Sequence, residues 1–464
     1  MSARAPWSIV HVDLAEGVPD LSATPGVHGT LLVVRFEGAV LGEIPLLPEN
    51  LPLRGSELAF LAASRIRGTV AELLRLGPDD LPAPNPCSPP LTDLPPPFGP
   101  DVLARLSRHL AARRARPVSV TGSIVICTRN RPRDIGDCLA SLQGEIAAGR
   151  EVVVVDNGPD AATEAAVRAH PGVRYVVEPR PGLSHARNTG VAAATSDVVV
   201  FLDDDVRPEP GWIEPLLKRF AEPEVAIVCG LVLPEALETD AQIRFQYELG
   251  FGGMGLLPLR FDAEFVAGWR RGVPVWSIGA GANMALRRRT LMGIGGFDGS
   301  LGAGSPAPCS EDSELWHRAL FAGWTAIYEP LSVVRHRHRR EIEALERQAY
   351  NYSLGHAVAL FVQHARDGDR GNLVRAFRDI PLSLARRVLR VPANRLRGKR
   401  DTLLGPWLKG YLAALRHAGI AFREPPPLRT AKDWEERRAA VLQQSPSAEA
   451  LAPLTQGRLS VNAE

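Results

Sequence analysis

Three consecutive carboxylates, Asp203, Asp204 and Asp205, follow directly on the apolar run VVVFL at 198–202. Holding three negative side chains together costs repulsion unless a cation or specific donors offset it. Alternate residues of an extended segment face the same way, so Asp203 and Asp205 can share a task. Hard oxygen ligands of this kind suit Mg2+ or Mn2+, which can bridge to a diphosphate and neutralise the charge that builds as it leaves. An acidic turn or helix cap would use the same residues, and the local sequence leaves both readings open. A second acidic pair, Glu311-Asp312, stands before an amphipathic pattern with Leu315, Ala319 and Leu320. Taken alone it reads as a helix start, where the helix dipole favours acids. In VVRHRHRR, residues 333–340, His336 and His338 alternate with arginines and would share one face of an extended segment.

These groups need a scaffold, and the chain from Gly122 onward supplies one. Short apolar runs at 123–127 (SIVIC), 151–155 (EVVVV), 173–177 and 198–202 alternate with helical patterns at 134–142, 161–169 and 183–194. Continuous apolar runs between helices predict a parallel sheet covered on both faces. Ligands of such sheets bind beyond the carboxyl ends of the strands, where the acidic run lies. Ahead of this segment, TLLVVRFEGAVLGEIPLLP at 29–47 predicts a hairpin turning near Glu37–Gly38, and 56–76 predicts a helix. Nine prolines within 81–100 exclude a helix or central strand and predict a linker. Helices are expected again at 101–115, 341–365 and 403–418.

The stretch from Ser123 to about Trp324 resembles the inverting glycosyltransferases of family 2. It does so through ordered motifs: VICTRNRP at 125–132, VVVVDNGPD at 152–160, RPGLSHARNTGVAAA at 180–194, the Asp203–Asp205 run, GAGANMALRRRTLMGIGGFDGSLGAG at 279–304, SEDSELWHRALFAGW at 310–324 and VVRHRHRR at 333–340. The resemblance implies an α/β chain with a GT-A nucleotide-diphospho-sugar transferase fold, a mostly parallel sheet flanked by helices. It implies nucleotide-sugar contacts from Thr128, Arg129, Asp156, Arg187, Asn188, Asp203 and Asp204. Asp205 and His336 would hold Mn2+ or Mg2+, and Asp312 would be the general base for an acceptor hydroxyl. Asn283, Trp276, Glu311 and His338 would belong to the donor and acceptor region. His185 is open between packing and donor contact. The reaction implied is a single displacement at the anomeric carbon of a UDP-, GDP- or dTDP-sugar, with a saccharide or lipid-linked acceptor of the cell envelope. The Gln-x-x-Arg-Trp motif of the processive branch is absent, which favours transfer of one sugar.

The expected organisation is a small N-terminal α+β domain at 1–80, a Pro-rich linker at 81–100, a connecting helix at 101–120 and a catalytic domain at 121–340. A helical extension at 341–440 and a tail at 441–464 follow. A net charge of +2 gives no global argument for nucleic-acid binding. Residues 371–400 hold nine Arg or Lys against one acid, Asp379. They suit either phosphate-rich lipid headgroups or a solvated basic helix. Cysteines at 87, 127, 138, 229 and 309 have neither disulfide-framework nor zinc-site spacing. No apolar run reaches the length of a membrane span. A cytoplasmic protein is expected, with room for peripheral contact at the inner face of the plasma membrane and for a homodimer. Two other classes were weighed. A nucleotidyltransferase lacks its early Gly-rich signature here. A catalytically silent carbohydrate-binding or scaffold protein would bind a donor without turnover.

Overall fold

The computed structural model describes residues 4–77, 80–81, 98–251, 255–396 and 401–421. Most of the Pro-rich linker, the centre of the glycine-rich 251–255 segment and the C-terminal tail lie outside them. Twelve strands are present among the described residues: β1 (Trp7–Asp13), β2 (Gly29–Phe36), β3 (Ala39–Leu46), β4 (Gly122–Thr128), β5 (Val152–Asp156), β6 (Val173–Val177), β7 (Val198–Asp203), β8 (Val206–Pro208), β9 (Val225–Pro234), β10 (Leu259–Phe261), β11 (Asn283–Arg287) and β12 (Thr325–His336).

The large sheet runs β10-β12-β9-β11-β7-β4-β5-β6, with β8 paired to β12. Its β7-β4-β5-β6 half is parallel, as the apolar runs predict. Strand β11 enters antiparallel between β7 and β9. Alternate residues of the parallel strands feed two cores. Val125, Val153, Val155, Val199 and Phe201 pack on one face. Ile124, Ile126, Val152, Val154, Val200 and Leu202 pack on the other. The chain leaves β4 toward β5 on one side and returns through β7 on the other. The carboxyl ends of β4 and β7 therefore border the crevice where open α/β sheets bind ligands.

Residues 7–46 form a separate three-stranded sheet. The hairpin between β2 and β3 turns at Glu37 (φ 47°) and Gly38 (φ 78°), the positive pair that a tight two-residue connection requires. Strand β1 joins β2 in parallel, a pairing that the hydrophobic pattern did not announce. One face of β2, Leu32 and Val34, packs with Leu58, Ile66 and Val70 of the helix Gly55–Arg75. The other face, Leu31 and Val33, joins the core of the large sheet. Trp7 completes the junction, its amide donating to Leu237 O at 2.7 Å. C-terminal helices Ile342–Asp367 and Leu404–Ala421 match the predicted spans and pack around Leu354, Val358, Tyr411 and Ala414. A further helix, Ile380–Leu396, carries most of the basic stretch.

Candidate functional site

The crevice forms where β4, β5 and β7 end. β7 ends at Asp203, and Asp204 and Asp205 lie in the turn that joins it to β8. Asp204 is 4% exposed and turns to the β4 side. Its Oδ2 accepts from Thr128 Oγ1 at 2.8 Å and its Oδ1 from Arg131 Nη1 at 2.7 Å. Burial pushes its carboxyl up to about 6 against the pull of Arg131. Thr128 and Asp204 thus bind each other. Arg131 reaches on to Asp205 Oδ2 at 3.3 Å. Arg131 belongs to the VICTRNRP motif at 125–132. Its reach follows the left-handed turn at Asn130 (φ 55°), which spacing alone does not reveal.

Asp205 and His336 meet across the site, with Oδ1 3.4 Å from Nε2. Burial opposes ionisation of Asp205, yet His336 and Arg131 hold its carboxyl below the usual range. His338 does not reach the crevice. It lies behind His336, with Nδ1 to Nδ1 at 2.8 Å and its Nε2 3.1 Å from Gln246 Oε1. Burial, then the neighbouring His336, lowers His338 to about 2, so its ring is neutral. A carbonyl oxygen accepts only, so His338 donates from Nε2 to Gln246. His338 Nδ1 then accepts from His336 Nδ1–H, which orients the His336 ring with Nε2 toward Asp205. Gln246 and His338 were not legible as a pair, because 92 residues separate them.

A second layer surrounds Arg187, on the helix Leu183–Ala193. Its guanidinium is 2% exposed and pairs with Glu311 Oε1 at 2.7 Å and Asp203 Oδ1 at 3.4 Å. It also lies over the Phe201 and Phe297 rings at 5.7 and 5.3 Å. Arg187 is therefore a buried organiser of the acids. Burial raises the Glu311 carboxyl to about 7 even with Arg187 opposing it. The next residue turns the other way. Asp312 stays partly exposed, its Oδ2 accepting from Gly281 N at 3.1 Å and its Oδ1 from Ser313 N at 2.6 Å. A side chain at Gly281 would lie 2.9 Å from Asp312 Oδ2 and 3.0 Å from Arg187, so this close approach needs glycine.

Several of the expected contact residues also bond within the protein. Asn188 spends both amide atoms on Phe297, donating to its carbonyl at 2.9 Å and accepting from its amide at 2.8 Å. Asn283 is fully buried and donates to Leu231 O and Ser332 O, tying β11 to its neighbours. Asp156 is also fully buried, its oxygens accepting from Gly158 N at 3.0 Å and the Tyr175 hydroxyl at 2.8 Å. Trp276 is covered by Arg375 at 4.5 Å and by the edge of His356 at 4.7 Å, so it docks the C-terminal helices. Arg129 remains exposed and lies against Gly158 and Gly304 at the rim. Asn157, unassigned from sequence, shapes that rim by bonding Glu178 O, Arg180 O and Gly182 N.

The crevice thus presents Asp203, Asp205 and His336 on one side and Asp312 on the other. Among the described residues no three acidic, His or Cys side chains converge into a finished metal cage. Asp205 with the Nε2 of His336 supplies two hard or borderline ligands. This suits an ion that takes its remaining ligands from water and phosphate.

Residues 123–291 match the model of glycosyl transferase family 2. The chain is 31% identical over 275 residues to the pre-mycofactocin glycosyltransferase of Mycobacterium tuberculosis, covering 56% of this chain and 53% of that protein. It is 24% identical over 196 residues to the glucosyl-dolichyl phosphate glucuronosyltransferase of Haloferax volcanii, covering 39% and 56%. The chain thus spans about half the length of these curated relatives. Similar solved structures include the mannosyltransferase PcManGT of Pyrobaculum calidifontis in complex with GDP-Man and Mn2+, at 20% identity. That match covers 75% of this chain and 86% of the other, with a TM-score of 0.36. Glucosyl-3-phosphoglycerate synthase of M. tuberculosis in complex with Mn2+, UDP-Glc and phosphoglyceric acid matches at 19% identity. It covers 55% and 81%, with a TM-score of 0.33. Residues 123–291, which lie in the mixed, helix-flanked sheet and carry the strand-end motifs, are thus the segment similar to glycosyl transferase family 2.

Proposed function

We propose that the protein transfers one sugar from a nucleoside-diphosphate sugar to an acceptor hydroxyl, with inversion at the anomeric carbon. The carrying observation is the split of the second acidic pair. Glu311 is drawn inward by Arg187, while Asp312 stays partly exposed, near the Arg187 guanidinium that also meets Asp203. Asp312 takes the proton of the acceptor hydroxyl as the hydroxyl oxygen attacks the anomeric carbon. Gly281 N–H holds the Asp312 carboxylate in place. The diphosphate leaves from the opposite face, toward Asp205 and His336. Holding donor and acceptor in line supplies much of the acceleration. Asp205 and His336 fit Mn2+ or Mg2+, which when bound would neutralise the departing diphosphate. Arg129 at the rim is the cation best placed to meet the nucleotide.

The acceptor is proposed to be a cell-envelope or lipid-linked saccharide. The mycobacterial relative is named for pre-mycofactocin, so that acceptor joins the panel. No helix among the described residues is long and apolar enough to cross a membrane. Peripheral contact is proposed through the helix Ile380–Leu396, where Leu389 is 78% exposed beside Arg386 and Arg390. Sedimentation with vesicles containing anionic lipid should recover the protein, and Leu389→Asp should reduce that recovery.

The test is to incubate the full chain with UDP-, GDP- and dTDP-sugars, Mn2+ or Mg2+ and the acceptor panel. The anomeric configuration of the product is then read by NMR. Inverted product supports the reading, whereas retained configuration removes Asp312 as base for a single displacement.

A further inference from the structure

Where the N-terminal part meets the large sheet, a second polar cluster lies well away from the crevice. Glu329 of β12 accepts from Arg113 Nη2 at 2.7 and 2.8 Å and from Arg219 Nε at 2.7 Å. All three side chains are 3% exposed. Two guanidiniums therefore share one carboxylate, leaving a buried excess of positive charge, a costly state without a further anion. Arg113 Nε and Arg219 Nη1 are buried, and neither has a hydrogen-bond partner among the described residues. Both arginines line a cavity of about 20 Å³, whose walls also include Arg114, Arg116 and Lys218. That space exceeds the roughly 10–15 Å³ needed to admit one water-sized group. Some of this charge is engaged. Arg114 lies 3.6 Å from Glu37, and Lys218 Nζ donates to the Arg114 carbonyl at 2.6 Å. Arg113, Arg219 and Lys218 still face a single carboxylate in the cavity wall.

We propose that this cleft binds a phosphate group, at a site separate from the donor crevice. One phosphate oxygen fills the inner space and accepts from Arg113 Nε and Arg219 Nη1. The remaining oxygens face Lys218 at the mouth. Guanidinium forks suit oxyanions, and a dianion offsets the excess charge that an ordered water would leave standing. Glu329 pairs with Gly230 and His336 with Pro234, four positions apart along β9 and about 13 Å at ~3.3 Å per residue, so the cleft and the crevice are distinct. Arg113 ends the helix Pro100–Ala115 that follows the N-terminal sheet, and Arg219 ends the helix Ile213–Arg219 of the catalytic domain. A bound phosphate group fastens these two helices to β12 and stabilises the junction.

The full chain should be titrated with inorganic phosphate, and with glucose 1-phosphate as a phosphomonoester, by calorimetry and thermal unfolding. Sodium chloride at matched ionic strength is the reference. Phosphate should bind and raise the melting temperature above the chloride control. Asp205→Ala, altered only in the crevice, should keep this response. Lys218→Glu, at the part-exposed mouth, should weaken phosphate binding at least about tenfold by reversing a charge beside the anion. Arg219→Met should abolish it. Should that buried variant fail to fold, Lys218→Glu alone decides. An equal response to both ligands marks a site for phosphate itself, and a stronger response to the sugar phosphate marks a site for phosphomonoesters. Identical melting in phosphate and chloride, or unchanged phosphate binding in Lys218→Glu, would overturn the proposal.

Discussion

At the scale of single residues, the site works by dividing neighbours that look alike. Asp203 and Asp205 face the crevice while Asp204 is spent on Thr128 and Arg131, and Glu311 faces Arg187 while Asp312 stays open. The first division rests on the turn between β7 and β8, which the expected extended segment did not include. The second was not legible either, since both acids begin a helix and only the buried Arg187 distinguishes them. Asp312→Asn should therefore keep donor affinity and lose about 10²–10⁴-fold in turnover, read by calorimetry beside product formation. The histidines make a similar pair. His338 fixes the ring of His336 rather than touching ligand, so His338→Ala should weaken Mn2+ binding by about 10–100-fold. Calorimetry with the metal and a nucleoside diphosphate measures this without catalysis. An unchanged metal affinity would show that His338 only fills space.

At the scale of elements, the parallel strands and their helices were readable from apolar runs because both faces of that sheet are covered. The hairpin was readable because Glu37-Gly38 interrupts two apolar runs. Strand β1 was missed, as its burial is mixed and its partner β2 lies beyond a long connection. Asn188, Asn283 and Trp276 fall within motif stretches yet tie elements together, because residue type does not report which way a side chain faces. The helix Leu183–Ala193 is fixed to the helix Glu311–Phe321 by Arg187. Arg187→Met would leave the Glu311 carboxyl buried without its partner, at a cost of about 3–5 kcal/mol. Urea denaturation should find that loss, and native-like stability would contradict the organiser role.

At the scale of the whole molecule, the N-terminal sheet is part of the catalytic unit's packing. Leu31 and Val33 enter the main core, and the Arg113–Glu329–Arg219 cluster joins the connecting helix to β12. Burial alone would raise the Glu329 carboxyl, but Arg113 and Arg219 outweigh it and hold it down at about 2. A folded value below the unfolded 4.5 gives stability that is complete above about pH 4.5 and is lost as pH falls toward 2. Glu329→Gln should destabilise the chain by about 3–5 kcal/mol at neutral pH and flatten this acid limb, as followed by denaturation at several pH values. A variant with the same acid limb as the parent protein would locate that sensitivity elsewhere.

The central claim is that one open carboxylate drives sugar transfer beside a metal-binding pair. Its most direct test is transfer from a panel of UDP-, GDP- and dTDP-sugars, with Mn2+, Mg2+ or EDTA, by the parent protein, Asp205→Ala and Asp312→Asn. The account predicts one preferred nucleotide sugar, binding that needs metal and weakens in Asp205→Ala, and binding without turnover in Asp312→Asn. Turnover by Asp312→Asn at the parental rate, or donor binding indifferent to both EDTA and Asp205→Ala, would contradict it.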